Sequence, residues 1–306
     1  MDKRVEHLTT LIKELVLSSK GRISYTHVDK ELDITTPEEK TLRRVVFREL
    51  CDKSLVRRDE KLSGVYWRID EEAPLIDWQK ADPTNVIKLQ FPFKLERYVK
   101  IFPKTIIIVA GEKQAGKTLF LFTFTLLNME HSLGVDLFNN ETGKEQMKER
   151  LDNFSIKISN PPPFRALERY DNFADVIDPN KISVIDYLDT NSEVYEVGVE
   201  IDRIFRKLQK GIAVIGLQTP PPSHVFVKGR EKWVHRDLAY GGGFTAKRAA
   251  LYLRLAGNTL KIVYCKTPSN PTVNANNKQW KYQINKTGTE FIHISDMEEI
   301  EQDELL

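Results

Sequence analysis

Cysteine is almost missing from this chain: among 306 residues only Cys51 and Cys265 carry a thiol. They lie far apart in otherwise apolar stretches, which excludes a disulfide framework and fits two buried, reduced thiols. The six histidines show neither His-x-x-x-His nor Cys–His spacing. A protein metal cage is therefore not expected. No run reaches the roughly 18 consecutive apolar residues of a membrane span, and Met1 to His7 hold no apolar core of a secretory leader. A cytoplasmic protein without a membrane partner is expected. An excess of one charge is lacking too: 46 Lys and Arg oppose 44 Asp and Glu, for a net +2. The average thus names no partner, and local patches must be read instead. Against these absences stands a 41% hydrophobic content, ample for a packed core. The length suits a small domain followed by a larger one.

The strongest local signal is Thr105 to Thr118. Thr105 to Val109 reads as a buried parallel strand. Gly111-Glu112-Lys113-Gln114-Ala115-Gly116-Lys117-Thr118 follows, with the pattern G-x-x-x-x-G-K-T. An apolar helix runs from Leu119 to Met129. Strand, glycine-bounded loop and helix, in that order, make a phosphate-binding loop. Gly111 and Gly116 let backbone amides and a helix N-terminus face an anion. Lys117 is placed to reach the β- and γ-phosphates of ATP, and the Thr118 hydroxyl to ligate Mg²⁺.

Downstream, Gly134 to Glu141 reads as a strand with a polar end, followed by a helix over Lys144 to Leu151. A carboxylate ending the strand next to the P-loop can polarise the attacking water, and Glu141 is that candidate. Lys181 to Asp186 is a buried strand ending in an acid, the Walker-B pattern for holding Mg²⁺. Glu200 to Gln209 is an amphipathic helix, and Ile212 to Gln218 is a fourth strand with Gln218 at its polar exit.

Ahead of this core, Lys3 to Ser19 and Tyr25 to Leu32 have helical spacing. Thr36-Pro37-Glu38-Glu39 offers an N-cap, a proline at N1 and an acid at N3. The helix it starts, to about Lys53, has Leu42, Val45, Val46 and Leu50 as its expected buried stripe. Leu55 to Arg58 and Val65 to Ile69 read as a hairpin. Three helices and a hairpin resemble the winged-helix family. That resemblance implies a third helix in the DNA major groove, presenting Arg43, Arg44 and Arg48. Glu38, Glu39 and Glu49 dilute this charge, so a protein-docking role stays open beside duplex DNA. Asp70 to Asn85, with Pro74 and Pro83, has linker chemistry, and its Leu75, Ile76 and Trp78 suggest docking on a surface.

Asn140 to Arg150, Ile185-Asp186-Tyr187-Leu188, Val214 to Gln218 and Asp237 to Gly242 together resemble motifs of the RecA-like ATPase core, most nearly the DnaB-type replicative helicase domain. The resemblance covers about residues 86–285. It implies an α/β fold: a RecA-like P-loop NTPase core with a mostly parallel central sheet, here preceded by a small winged-helix domain. It further implies Glu141 as catalytic glutamate, Asp186 as the Walker-B acid, Gln218 as γ-phosphate sensor, and a homo-oligomeric ring or filament with DNA in its path. Other replication proteins are candidate partners under it. The family's Lys-x-Arg pair, which reaches a neighbour's ATP, is matched only by Lys266, since Pro268 stands at the Arg position. Arg248 and Arg254 are nearby substitutes for that trans charge.

Between Gln218 and Gly241 lies a long basic segment with interleaved aromatics: Lys228, Arg230, Lys232, Trp233 and Arg236. Such a loop suits single-stranded nucleic acid, the bases stacking on rings and the phosphates on cations. A loop ordered by a protein partner is the alternative. Asp296 to Glu304 holds six acids and no base, a solvated tail by default. The expected organisation is a winged helix over 1–70, a linker over 71–85, an ATPase core over 86–294 and an acidic tail over 295–306. Two functions remain: a DNA-associated Mg²⁺-ATPase of replication, recombination or mobile-element maintenance, or an ATP-gated DNA-binding loader that barely hydrolyses.

Overall fold

A computed structural model describes residues 3–19, 21–69, 73, 75–188, 196–227 and 230–297. The chain divides into two compact units, Met1–Ala81 and Asp82–Leu306.

The smaller unit holds α1 (Lys3–Ser18), β1 (Arg22–Ser24), α2 (Tyr25–Glu31), α3 (Pro37–Asp52), β2 (Val56–Arg58) and β3 (Val65–Arg68). Its start signals act as the sequence dictates. Thr36 and Glu39 form a reciprocal capping box at α3, with proline in its first turn. Ser24 caps α2 through the amide of His27. β3 pairs antiparallel with both β2 and β1. The third strand, β1, is too short to show a period.

The buried face of α3 differs from the expected stripe. Val46, Phe47 and Leu50 are buried, whereas Val45 is 53% exposed. Arg43 takes the remaining buried place, only 4% exposed, paired with Asp29 and lying 4.1 Å over the Tyr25 ring. Tyr25 meets Phe47 edge-on at 5.1 Å, and its hydroxyl is 2.6 Å from that of Tyr66. An aromatic cluster that needs a cation on its face therefore recruits Arg43 inward. Leu75, Ile76 and Trp78 are 100%, 83% and 72% exposed, so the expected docking of these side chains is not found.

The larger unit carries β4 (Thr105–Gly111), α4 (Lys117–Leu127), β5 (Val135–Asn139), α5 (Lys144–Asp152), β6 (Phe164–Glu168), α6 (Phe173–Val176), β7 (Ile182–Asp186) and α7 (Glu196–Lys207). These are followed by β8 (Ile212–Gln218), β9 (Ser223–Val227), β10 (Arg230–Val234), α8 (Gly243–Ala246), β11 (Ala249–Ala256), β12 (Thr259–Cys265), β13 (Gln279–Ile284) and β14 (Phe291–Met297). One sheet runs β14-β13-β12-β11-β4-β8-β7-β5-β6. From β11 to β6 its strands are parallel, and β12, β13 and β14 add an antiparallel extension. This is the RecA-like P-loop core with a mostly parallel central sheet.

β4, β5, β7 and the first six residues of β8 are buried throughout, as strands covered on both faces must be. On one face α4 packs Phe120 and Phe124 among Leu95, Ile107 and Val109; on the other α7 packs Ile201 and Ile204 against Ile106, Ile108 and Ile215. The Phe120, Phe122 and Phe124 run is fully buried.

Three expectations change here. The strand carrying Glu141 is not next to the P-loop strand: β8 and β7 lie between β4 and β5. The basic segment after Gln218 is not an open loop, because β9 and β10 form their own antiparallel ribbon. The start of the acidic tail is a strand: Ser295 and Asp296 pair within β14, opposite Lys281 and Trp280. Residues 298–306 lie outside the described residues.

Candidate nucleotide site

The carboxyl ends of β4, β8 and β7 converge, and a cavity of about 680 Å³ opens above them. Its floor is the P-loop. The two glycines of that loop act differently. Gly116 sits at φ +89° as the N-cap of α4, in the left-handed region that a side chain strains. A Cβ there would also lie 2.9 Å from Ile284 and 3.1 Å from Phe291. Gly111 has ordinary backbone angles but lies close to β11, where a Cβ would come 3.3 Å from the Leu255 carbonyl.

Of the expected nucleotide-binding residues, Glu112, Lys113, Gln114, Gly116, Lys117 and Thr118 line the cavity. Gly111 and Ala115 support it from behind; the Ala115 carbonyl accepts a bond from the Tyr282 hydroxyl at 2.5 Å. Lys117 is 9% exposed, and its Nζ lies 4.7 Å from the centre of the Tyr187 ring.

Three groups meet at Thr118. Its hydroxyl lies 3.1 Å from Oε2 of Glu141 and 3.3 Å from Oδ1 of Asp186, sharing one proton between two carboxylates. Asp186 is fully buried, and its Oδ2 has no hydrogen-bond partner among the described residues. Burial pushes its acid up to about 6, helped by the Glu141 charge and opposed by Lys117, Thr118 and Arg150. A divalent cation beside Thr118 would hold this carboxylate ionised and occupy the second oxygen. The donor set of one hydroxyl and one carboxylate fits Mg²⁺, which takes its remaining ligands from phosphate and water. Among the described residues no cluster of three or more His, Cys, Asp or Glu competes as a metal site.

Two asparagines shape the loop after β5. Asn139 donates to the Thr142 carbonyl at 2.5 Å, folding the turn that carries Glu141. Asn140 clasps the Tyr187 backbone, donating to its carbonyl at 2.7 Å and accepting from its amide at 3.0 Å. The ends of β5 and β7 are thereby locked in register beneath the cavity. Gln218, on the true neighbour of β4, pairs in register with Gly111 and lines the cavity.

Sequence reasoning missed several lining residues. Tyr187 follows the Walker-B acid directly. Gln146 and Arg150 lie four apart on α5, one face of a helix, and that spacing was a usable signal. Ile284 and Gly288 come from the β13–β14 hairpin. Nothing local in the sequence announces them, because they arrive by long-range sheet pairing.

The other expected residues are dispersed. Arg248 is bound by Asp202, at 2.6 Å from Nε, and stacks on Phe205 at 4.9 Å. Arg254 is 7% exposed and faces Asp237 at 3.3 Å, so burial and pairing remove it from the trans-acting charges. Lys266 is exposed. In the β9–β10 ribbon Trp233 is 61% exposed, 4.7 Å from the His224 ring, and Arg236 is exposed. Arg230 and Lys232 lie in β10, and Lys228 lies outside the described residues. In the smaller unit Arg44 and Arg48 are exposed and line a groove of about 540 Å³ with Arg58 and Lys61. Arg43 is withdrawn from the nucleic-acid set, since its guanidinium is buried on Tyr25 and Asp29.

No family model matches the chain, and no curated protein matches it. Solved structures do. A KaiC-like protein, PH0186 of Pyrococcus horikoshii OT3, is 16% identical over 70% of this chain and 100% of its own, with a TM-score of 0.48. The ATPase domain of a DnaB-like protein is 14% identical, covering 70% of this chain and 94% of its own, at 0.47. The flagellar accessory protein FlaH of Methanocaldococcus jannaschii is 13% identical, covering 70% and 98%, at 0.44. The likeness to these RecA-like P-loop ATPases is one of fold.

Proposed function

We propose that this chain is a Mg²⁺-dependent ATPase that works on DNA, taking single-stranded DNA along the β9–β10 ribbon. The observation that carries the ATPase reading is the meeting of Lys117, Thr118, Glu141, Asp186 and Gln218 around one cavity. Lys117 balances phosphate charge, and Thr118 with Asp186 holds the metal. Bound Mg²⁺ supplies charge neutralisation across the β- and γ-phosphates. Glu141, exposed at the cavity rim, accepts a proton from the attacking water. Gln218 contacts the terminal phosphate and leads directly toward the ribbon. Fixed donors and charges, rather than covalent chemistry, lower the barrier.

The DNA reading rests on the exposed Trp233, on Arg236 and on the basic composition of the ribbon. The smaller unit, read as a winged helix, would meet duplex DNA through Arg44, Arg48 and Arg58. A homo-oligomer, with Lys266 reaching the neighbouring site, completes this reading for a cytoplasmic protein. The test is ATP turnover with Mg²⁺ and a single-stranded oligonucleotide, comparing the chain with Lys117→Ala. Equal rates would end the enzymatic reading.

One observation favours a second reading, an ATP-gated loader with little turnover. Arg248 and Arg254 are both engaged within their own chain, and Pro268 fills the place of the second trans cation. A loader requires ATP binding for DNA association but shows neither appreciable turnover nor strand displacement.

A further inference from the structure

The β9–β10 ribbon is fastened to the nucleotide site at both of its ends. At its entry, Gln218 closes β8 in register with Gly111, and the Thr219 amide donates to the Gly111 carbonyl at 3.0 Å. Three prolines, Pro220 to Pro222, then stiffen the approach to β9. At its exit, His235 is the first residue after β10. Its Nδ1 lies 2.6 Å from Oε1 of Glu112, the second residue of the P-loop and a lining residue of the cavity. A carboxylate only accepts, so the imidazole donates.

This contact is built rather than incidental. The His235 ring rests on Gly257, where a Cβ would fall 2.9 Å from Nε2. The Glu112 amide donates to the Leu255 carbonyl at 3.1 Å, fixing the other partner. Two residues beyond His235, Asp237 binds Lys261 at 2.8 Å and faces Arg254, which pins the exit segment to β11 and β12. The ribbon can therefore shift only if the Glu112–His235 contact shifts or breaks.

We propose that the His235–Glu112 hydrogen bond couples the P-loop to the β9–β10 ribbon, so that nucleotide binding repositions the ribbon and ribbon occupancy retunes nucleotide affinity. The second half rests on the single-stranded DNA reading above. His235 is a positioning residue: it touches no nucleotide and acts through Glu112. Coupling of this kind is reciprocal, because each ligand must change the other's affinity by the same factor.

The test is hydrogen exchange of the full chain with and without a non-hydrolysable ATP analogue and Mg²⁺. In the parent chain the analogue changes exchange at ribbon amides 223–227 and 230–234 as well as at the P-loop. His235→Ala keeps the P-loop protection and loses the ribbon response. His235→Asn, whose amide stands where Nδ1 stood, restores it. In parallel, a single-stranded oligonucleotide and the analogue tighten each other's binding in the parent by roughly 5-fold or more, and His235→Ala brings that factor to unity. A ribbon response that is unchanged in His235→Ala, or absent from the parent, overturns the proposal. A parent that shows the ribbon response yet binds no oligonucleotide loses the DNA reading, while the coupling stands.

Discussion

The Thr118 hydroxyl, 3.1 Å from the Glu141 carboxylate, joins residues from strands separated by two others in the sheet. Thr118 opens the helix after β4, and Glu141 lies two residues beyond β5. The intervening β7 supplies Asp186 to the same hydroxyl at 3.3 Å, and β8 supplies Gln218. The site is thus spread across four strands, and each contributes at its carboxyl end.

Asp186 gives the first prediction. Its folded acid is raised from 3.8 to about 6, mainly by burial. The folded protein then binds more protons than the unfolded chain between those values. In that window the nucleotide-free protein loses stability as pH rises, by on the order of 3 kcal/mol in total. Asp186→Asn removes the loss and melts at a higher temperature than the parent at pH 7.5 without Mg²⁺. Urea unfolding across pH 4 to 7 measures both; a parent whose stability rises through this window contradicts the assignment.

The two kinds of arginine on α3 separate in a single set of variants. Arg43→Ala strands Asp29 and exposes the Tyr25 face, costing the smaller unit about 2–3 kcal/mol. Arg44→Ala with Arg48→Ala leaves the melting temperature within a degree or two, since both are exposed. That pair weakens duplex DNA binding and flattens its salt dependence by up to about two units of slope. Melting curves and salt titrations read the difference.

Among the trans-acting candidates, Lys266→Ala lowers turnover in a protein-concentration-dependent way, because its charge serves a neighbouring copy. Arg254→Ala acts on stability instead, leaving Asp237 with Lys261 alone. Mixing Lys266→Ala with Lys117→Ala protein tests the first claim. Turnover recovers in the mixture if one copy lends Lys266 to the intact P-loop of another.

Much of this arrangement was legible in the chain because its signals are local. The Thr36 to Glu39 box, the glycine-bounded loop and the buried strands from Ile182 and Ile212 each carry their cause within a few residues. The failures share a different cause. Arg43 reads as a surface cation until the Tyr25 ring is seen beneath it. Val45 looks like core until that arginine claims the face. The order β4-β8-β7-β5, which separates the Glu141 strand from the P-loop strand, is set by long-range pairing that no local period encodes. The hidden strand signal of the ribbon was Val225, Val227 and Val234, masked by the charges around it.

The most direct test is a paired measurement on Glu141→Gln. The account predicts that this variant binds a fluorescent ATP analogue with Mg²⁺ as the parent does, while its steady-state ATP hydrolysis falls by roughly 10²–10⁴-fold. Hydrolysis at the parental rate in Glu141→Gln would contradict it.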